Sequence, residues 1–555
     1  MDLLAFEHDR GFVVKALRRG EIDYLEPVTE AVEADFFRQL IDRQVLERLA
    51  TSYPTPRQKQ EVPVWLYLAS ELSLKLHGAQ GYHAYPRLLR SGGLIDALGP
   101  ERGGHKTRHP QTGEVTLSCP GFNRKNDYDR QTPCDQDFLR KFARDTDVER
   151  LHAWFNREAP RSLRSLKLLD SEGLFIGDAS YVFVPDNEHY ESSDRLWFDE
   201  HNHPVNADEI DRKDPRYQLR RCYKLVSLIH VNRRLEFFFV VAARVVPGRR
   251  HECPIVYELA EQLVKAAGPG VMKMLIVDRG LIDGPRMGRL KQRYHIDTLV
   301  PLRTNMDAYA DAIGLTRLPG FQWEPYQRPE PPQPPSSPPP KPPRVVKREA
   351  KRQQKLAQRK AAAAQPAVSL GLPHTLLGIG RGLLSWSKCP VPLTAVISRE
   401  IDEQGQSKDW VLVSTSAKLN AQQIRSTYEL RTAIEERHRQ YKCFWDLTRM
   451  HSCAFSLVVN QVLFVLLTYT LLQAHLLLRQ RQRLNRLTRN SVLDLLAPTL
   501  EVVAVYSQQR FCLLSLPEFA RILLTLEEPA RQKLRKKIRR FEQNLDGLLH
   551  NPRPP

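Results

Sequence analysis

Residues 173–184 read GLFIGDASYVFV and residues 271–278 read VMKMLIVD. Both are runs of strand length, the first rich in β-branched and aromatic residues, and each brings one aspartate, Asp178 or Asp278, to an apolar stretch where solubility gives no reason for an acid. Between them, CYKLVSLIHV (222–231) and LEFFFVVAARVV (235–246) predict two more strands joined by a tight turn at Asn232 to Arg234. CPIVYELAEQLVKAAG (253–268) predicts a helix closed by Gly268, and a further helical stretch leads to the short strand DTLVPL (297–302). The order βββαβαβ is a meander followed by crossover units. The expected class is therefore α/β, a mixed sheet covered by helices, with Asp278 at the carboxyl edge where such sheets place their ligands.

Downstream, this pattern is interrupted. Residues 325–343 hold 11 of the 40 prolines, and a basic run follows, so 324–366 reads as a solvated polyproline-like and then basic arm inside an insertion spanning 306–415. PLTAVISREI (392–401) and DWVLVST (409–415) predict a hairpin across DEQGQSKD. A long helix is expected from Asn420. At about 100° per residue, Tyr428, Arg431, Glu435, Arg439 and Lys442 share one stripe about 80° wide. Leu430, Ala433, Ile434, Tyr441 and Phe444 face the other way, with Arg437 the exception on that core-facing side. One acid among cations and a phenol suits a helix that supplies a metal ligand and holds a phosphate backbone beside it. An i,i+4 surface pair between Arg431 and Glu435 is the plainer alternative.

Tyr428, Arg431, Glu435 and Lys442 fit the spacing Y-x2-R-x3-E-x6-K, the signature of the insertion-sequence-four group of DDE transposases. VDRG at 277–280 and FIGDAS at 175–180 resemble that group's second and first aspartate motifs, and the resemblance covers about 170–475. It implies a ribonuclease-H-like core split by a mainly β insertion, cleavage at terminal inverted repeats and strand transfer into target DNA. It further implies Asp178, Asp278 and Glu435 as catalytic residues and metal ligands, with Tyr428, Arg431, Arg439 and Lys442 on the DNA. Three convergent carboxylates repel unless a divalent ion neutralises them, and all-oxygen ligation favours two Mg²⁺ ions, with Mn²⁺ as substitute. The implied partners are double-stranded DNA, at element ends and target, and a second copy of the chain in a synaptic homodimer, in a prokaryotic cytoplasm at the nucleoid. Asp170, in LLDSEG, is the alternative first aspartate, and Trp323, Trp386 and Trp410 are the candidates for a base-stacking aromatic. A structure-specific nuclease on the same fold and an inactive DNA-binding derivative are the alternative functions.

The remaining sequence completes the organisation. Residues 1–165 read as a helical N-terminal domain for binding DNA ends, 166–305 and 416–478 as the two parts of the core, and 479–555 as a basic helical region for DNA binding or dimerisation. The net charge of +19 is concentrated in 341–360, 479–489 and 531–540, which leaves the rest near neutral. Eight cysteines without a CxxC pair suit a reduced, intracellular chain, and the start MDLLAFEHDRGF shows no secretory signal. Residues 453–478 are apolar enough for a membrane helix, but Asn460, Gln461, Gln473 and His475 favour a buried core helix and no membrane. His105, His109, Cys119 and Cys134 match no zinc-finger spacing, so 99–135 is expected to be a loop or hairpin.

Overall fold

A computed structural model of the chain describes residues 10–58, 62–77, 81–82, 105–118, 134–329, 374–480 and 502–550, apart from positions 29–30, 109, 112–114, 233–236, 451 and 509. The expected turn at Asn232 to Arg234, most of the Pro-rich and basic arm, most of 479–489, His109 and Cys119 lie outside the described residues. The chain divides into two compact units. One comprises 1–173, 179–271 and 435–555, and the other 174–178 and 272–434.

The larger unit is built around one apolar helix, α12 (Phe455–Leu478), with mean hydropathy 1.9 over its most apolar window, of which 83% is buried. By length and composition it could cross a membrane, yet it packs against α4 (Val64–His77), α5 (Gln136–Asp145), α6 (Val148–Ser165) and β8 (Phe238–Pro247). Several of its polar residues are satisfied within that core, as burial demands, although Gln473 Oε1 is buried without a hydrogen-bond partner. Tyr67 donates to Asn460 Oδ1 at 3.1 Å, Val240 N donates to Thr470 Oγ1 at 3.2 Å, and His475 Nδ1 meets Gln39 Oε1. Two short helices, α2 (Ala31–Asp42) and α3 (Val45–Thr51), precede α4, broken at Gln44, whose φ is 55°. β2 (His105–Arg108) and β3 (Val115–Ser118) form the hairpin anticipated in 99–135.

The strands of this unit belong to a mixed, mostly antiparallel sheet. β7 (Gln218–Val231) pairs antiparallel with β8 through Tyr223 to Val231 and with β5 (Asp194–Phe198) through Gln218 to Cys222. β5 pairs in turn with the two-residue β6 (Pro204–Val205). β4 (Gly173–Val184) flanks β7, its residues 179–184 lying in this unit. β5 and β6 are absent from the sequence reading because, at five and two residues, they are too short to show a period. Helix α6 supplies the acceptors that close β8: Ala243 N donates to Asn156 Oδ1 (2.8 Å) and Val245 N to His152 Nε2 (3.1 Å). α7 (Cys253–Ala267) covers β7 and β8, and Gly268, at φ 93°, ends it as expected.

Residues 479–555 depart from the all-helical expectation. β15 (Val502–Ser507) and β16 (Arg510–Ser515) form a hairpin that pairs with β1 (Tyr24–Val28), near the opposite end of the chain. α1 (Arg10–Arg19), α13 (Leu516–Leu524) and α14 (Glu528–His550) bury Val13, Leu17, Leu25, Val503, Val505, Leu514 and Leu534 in one core with this sheet. A hairpin whose partner strand lies more than 470 residues away carries no local signal of that partner.

In the smaller unit the strand order is β11 (Glu324–Pro325), β12 (His374–Leu383), β13 (Leu393–Ile401), β14 (Ser407–Ser414), β10 (Asp297–Pro301), β9 (Met272–Val277), β4. β9 runs parallel to β10, linked through a 3₁₀ turn at Arg279–Leu281 and α8 (Gly284–Tyr294). β14 pairs antiparallel with β10, and the expected hairpin of β13 with β14 is present. The insertion is richer in strands than the sequence suggested. β12, with three glycines in ten residues, pairs along β13, and Glu324–Pro325 forms β11 on its far edge. α9 (Asp307–Leu315) packs on β12 and β13. Gly284 and Gly288 of α8 admit the segment 388–390, for a Cβ on Gly288 would stand 2.3 Å from Pro390 Cγ.

The long helix expected from Asn420 is two helices, α10 (Ala421–Glu429) and α11 (Thr432–Phe444). Asn420 and Gln423 form a capping box at the start of α10. At the junction, the N–H groups of Leu430, Arg431, Ala433 and Ile434 bond carbonyls three residues back, at 2.9–3.2 Å. Such a turn advances about 120° per residue instead of 100°, so a stripe drawn with one period does not cross it.

Candidate active site

Asp178 and Asp278 take equivalent places on neighbouring strands. Phe175, Ile176, Leu275, Ile276 and Val277 are fully buried, and the aspartates are half-buried where those runs reach solvent. Glu172 N donates to Gly270 O (2.8 Å) and Gly173 N to Val271 O (2.9 Å), a pairing that advances in one sense on both segments as they enter β4 and β9. Asp278 opens the 3₁₀ turn with its backbone carbonyl, which accepts from Leu281 N at 2.9 Å, while its carboxylate makes no capping bond. Arg303 fastens that turn by donating to Arg279 O (3.3 Å) and Gly280 O (3.4 Å).

Tyr428 ties these aspartates to α10. Burial pushes its phenol up to about 12; the Arg431 guanidinium, which also hydrogen-bonds it, pulls it down, and the carboxylates of Asp278 and Asp178 push it up again. The smaller unit thus gathers two carboxylates, a phenol and a guanidinium within electrostatic reach. Trp410 stands beside them, its ring centroid 6.0 Å from that of Tyr428. Trp323 instead lies under Arg399, 4.4 Å from its guanidinium, and against Phe321. Asp170 sits in the turn before β4, 3.6 Å from the buried His230.

The other residues predicted for the site lie on α11 in the larger unit. Glu435 and Arg439 are exposed, Lys442 is half-buried, and Ile434 and Tyr441 are buried, so the two faces expected of this helix are present from 434 onward. Lys442 Nζ donates to Ser180 Oγ of β4 at 2.6 Å. Arg439 makes a two-pronged pair with Glu436 (2.7 and 2.7 Å) and covers Phe444, so its charge is partly spoken for. Arg437, the exception in the pattern, is buried: it donates to Gln440 Oε1 (3.0 Å) and Tyr469 OH (3.2 Å). Burial also drives His438 down to about 3, with Lys442 contributing, and its Nε2 meets Ser227 Oγ at 3.0 Å. Ser180, Ser227 and Arg303 are absent from the sequence reading because a lone serine or arginine has no periodicity to single it out.

The family model described as a transposase DDE domain matches residues 192–471, half of the chain. The chain belongs to the DDE transposase family. The matched stretch contains Asp278, Tyr428, Arg431, Glu435, Arg439 and Lys442, and begins after Asp178. The α/β architecture, with its mixed and mostly antiparallel sheet, is compatible with the ribonuclease-H-like core of such a domain. No curated protein matches the chain in sequence. Among the described residues, no three His, Cys, Asp or Glu side chains gather closely enough to form a metal centre by themselves. The donors brought within reach of Tyr428 are the two carboxylates of Asp178 and Asp278, an all-oxygen pair of the kind hard divalent cations prefer.

Proposed function

We propose that this DDE transposase is of the insertion-sequence-four group, cutting DNA at the terminal inverted repeats of its element and joining the 3′ ends to target DNA. What supports this reading is that Tyr428 and Arg431, two residues of the signature, lie within electrostatic reach of both Asp278 and Asp178. Asp178, Asp278 and Glu435 would hold the divalent metal, Mg²⁺ or Mn²⁺. Such ions lower the pKa of an attacking water or hydroxyl and stabilise the leaving oxygen in phosphoryl transfer.

The chain's own groups have separate tasks. With its proton held up to about 12, Tyr428 remains an O–H donor at neutral pH and serves a phosphate oxygen rather than acting as a base. Arg431 and Lys442 hold phosphates as fork and point charge respectively. Arg439 joins them once it leaves Glu436. Trp410, beside Tyr428, is our choice for the base-stacking aromatic. We assign the chain to a prokaryotic cytoplasm, as a homodimer on double-stranded DNA.

Asp278→Asn keeps the shape and removes one charge. It should lower Mg²⁺-dependent cleavage of a duplex bearing the element's ends by about 10³-fold, the scale on which loss of a charge-stabilising group is felt, while end binding is kept. Cleavage at the wild-type rate by that variant overturns the assignment. A strand-transfer assay separates this reading from a structure-specific nuclease.

A further inference from the structure

We infer that the module formed by the two ends of the chain is a duplex-DNA-binding surface, presented by the outer faces of α14 and α1. This inference rests on the transposase reading for its partner, and deepens it by naming the surface. From 529 to 541 the chain carries seven cations and no acid. Leu534 is fully buried in the module core, and Arg535, Lys536 and Arg539 lie about 100–200° around the helix from it, exposed. On α1, Lys15, Arg18 and Arg19 are exposed in the same way, and Gly20, which ends α1, lies against α14, where an added Cβ would be 2.7 Å from Ala530 O.

Four acids of the module are held by other groups. Glu518 pairs with Arg10, Glu21 with Lys533 (3.6 Å), Glu528 with Arg531 (3.7 Å), and Asp23 accepts from Gln508 N (2.8 Å). Lys537 is used internally, donating to Ile22 O. Among the described residues, no carboxylate pairs with Lys15, Arg18, Arg19, Arg535, Lys536 or Arg539. A face kept only for solubility would interleave acids, because like charges at i,i+4, such as Arg535 and Arg539, destabilise a helix. From 531 to 539 the helix spans about 12 Å, over which duplex DNA presents about seven phosphate charges. Among the described residues of α14 and α1, the exposed positions offer cations and no exposed large hydrophobic, which suits sequence-independent phosphate contact.

The test uses the full chain and a mixed-sequence 30-base-pair duplex lacking element ends, with binding followed by fluorescence anisotropy from 50 to 200 mM salt. In the variant R535Q/K536Q/R539Q, the slope of log affinity against log salt should become shallower by about 2.7, so the wild type should lose about 40-fold more affinity than the variant across that range. The charge-preserving R535K/K536R/R539K should keep the wild-type slope. An unchanged slope in a glutamine variant that melts like the wild type overturns the inference. So does loss of binding to phosphatidylserine vesicles with the DNA slope intact, which would assign the face to a membrane surface. If the glutamine variant does not fold, K15Q/R18Q/R19Q must show a comparable drop, and an unchanged slope there is equally decisive. Asp278→Asn should keep the full slope. A changed slope without any wild-type cleavage would therefore sink only the active-site reading, and cleavage with an unchanged slope only this one.

Discussion

Each half of the Tyr428–Lys442 segment is fastened by one arginine, and the two fastenings are of different kinds. In α10, Arg425 lies over the rings of Trp410 (4.6 Å) and Tyr326 (5.3 Å) and pairs with Glu429 (3.3 Å) and Glu400 (3.7 Å). In α11, Arg437 is 7% exposed, donates two hydrogen bonds to Gln440 and Tyr469, and lies over Phe238 at 4.5 Å. Ion pairs with a partly exposed carboxylate are screened by salt and contribute little each, whereas buried hydrogen bonds are unscreened and costly to leave unmade. The helix bearing Glu435 and Lys442 is therefore set by the interior of its unit, and the helix bearing Tyr428 by interactions nearer the surface.

The largest effect expected of this contrast is at Arg437. Arg437→Met fills similar volume but leaves Tyr469 OH short of a donor and Gln440 Oε1 with the longer 3.3 Å bond from Tyr469 OH, in surroundings where Tyr469 and Tyr441 are fully buried. Stability should fall by about 3 kcal/mol, the sum of two buried hydrogen bonds to a charged donor. Urea unfolding at 50 mM and 500 mM salt should give the same loss at both. A loss under about 1 kcal/mol would mean that α11 is no better fastened than α10, and the contrast would be gone.

The contrast also shows what could be read before any coordinates. The strand positions of Asp178 and Asp278 were legible because an acid in an apolar run is anomalous, and the outward position of Glu435 because helical period separates its face from that of Ile434 and Tyr441. The core role of 455–478 was legible from its polar residues. The break at Leu430–Arg431 was not, for neither residue is a helix breaker and the overwinding shows only in the bond pattern. The polar fastening of α11 was hidden for a different reason: Arg437 and His438 meet Tyr469 and Ser227, which are 32 and 211 residues away in sequence. Pairing of β1 with β15 is more distant still, and composition marked 531–540 only as basic, not as the outer face of a module shared by both ends.

A smaller effect follows from His438, which adds a pH dependence in the acid range to α11. Burial, with help from Lys442, holds its folded pKa at about 3, against about 6.5 in the unfolded chain. Below pH 6.5 the unfolded chain takes up a proton that the folded one refuses, so the contribution is full above 6.5 and is lost as pH falls towards about 3. His152, also lowered to about 3 by burial and Arg244, acts in the same sense. One such histidine costs about 2 kcal/mol between pH 6.5 and pH 5. His438→Gln removes that term, so its stability gap to wild type should narrow by about that amount when urea unfolding at pH 7.5 is repeated at pH 5. An equal gap at both pH values would show that the histidine already titrates in the folded chain.

The smallest effect is expected at Arg425, and there salt is the discriminating variable. Arg425→Met should cost about 1–2 kcal/mol at 50 mM salt, made up of cation–π contacts with Trp410 and Tyr326 and two ion pairs of modest worth. At 500 mM salt the ion-pair share should vanish, because the Debye length then approaches the separation of the pairs, while the ring contacts persist. The variant's deficit should accordingly shrink with salt where that of Arg437→Met does not. Tyr428 gives a second readout at this end of the segment, since its ring packs on Trp410 and its environment changes if α10 shifts. A deficit for Arg425→Met that is both as large as that of Arg437→Met and insensitive to salt would place α10 among the interior-fastened helices, and would leave no physical distinction between the two halves of the signature.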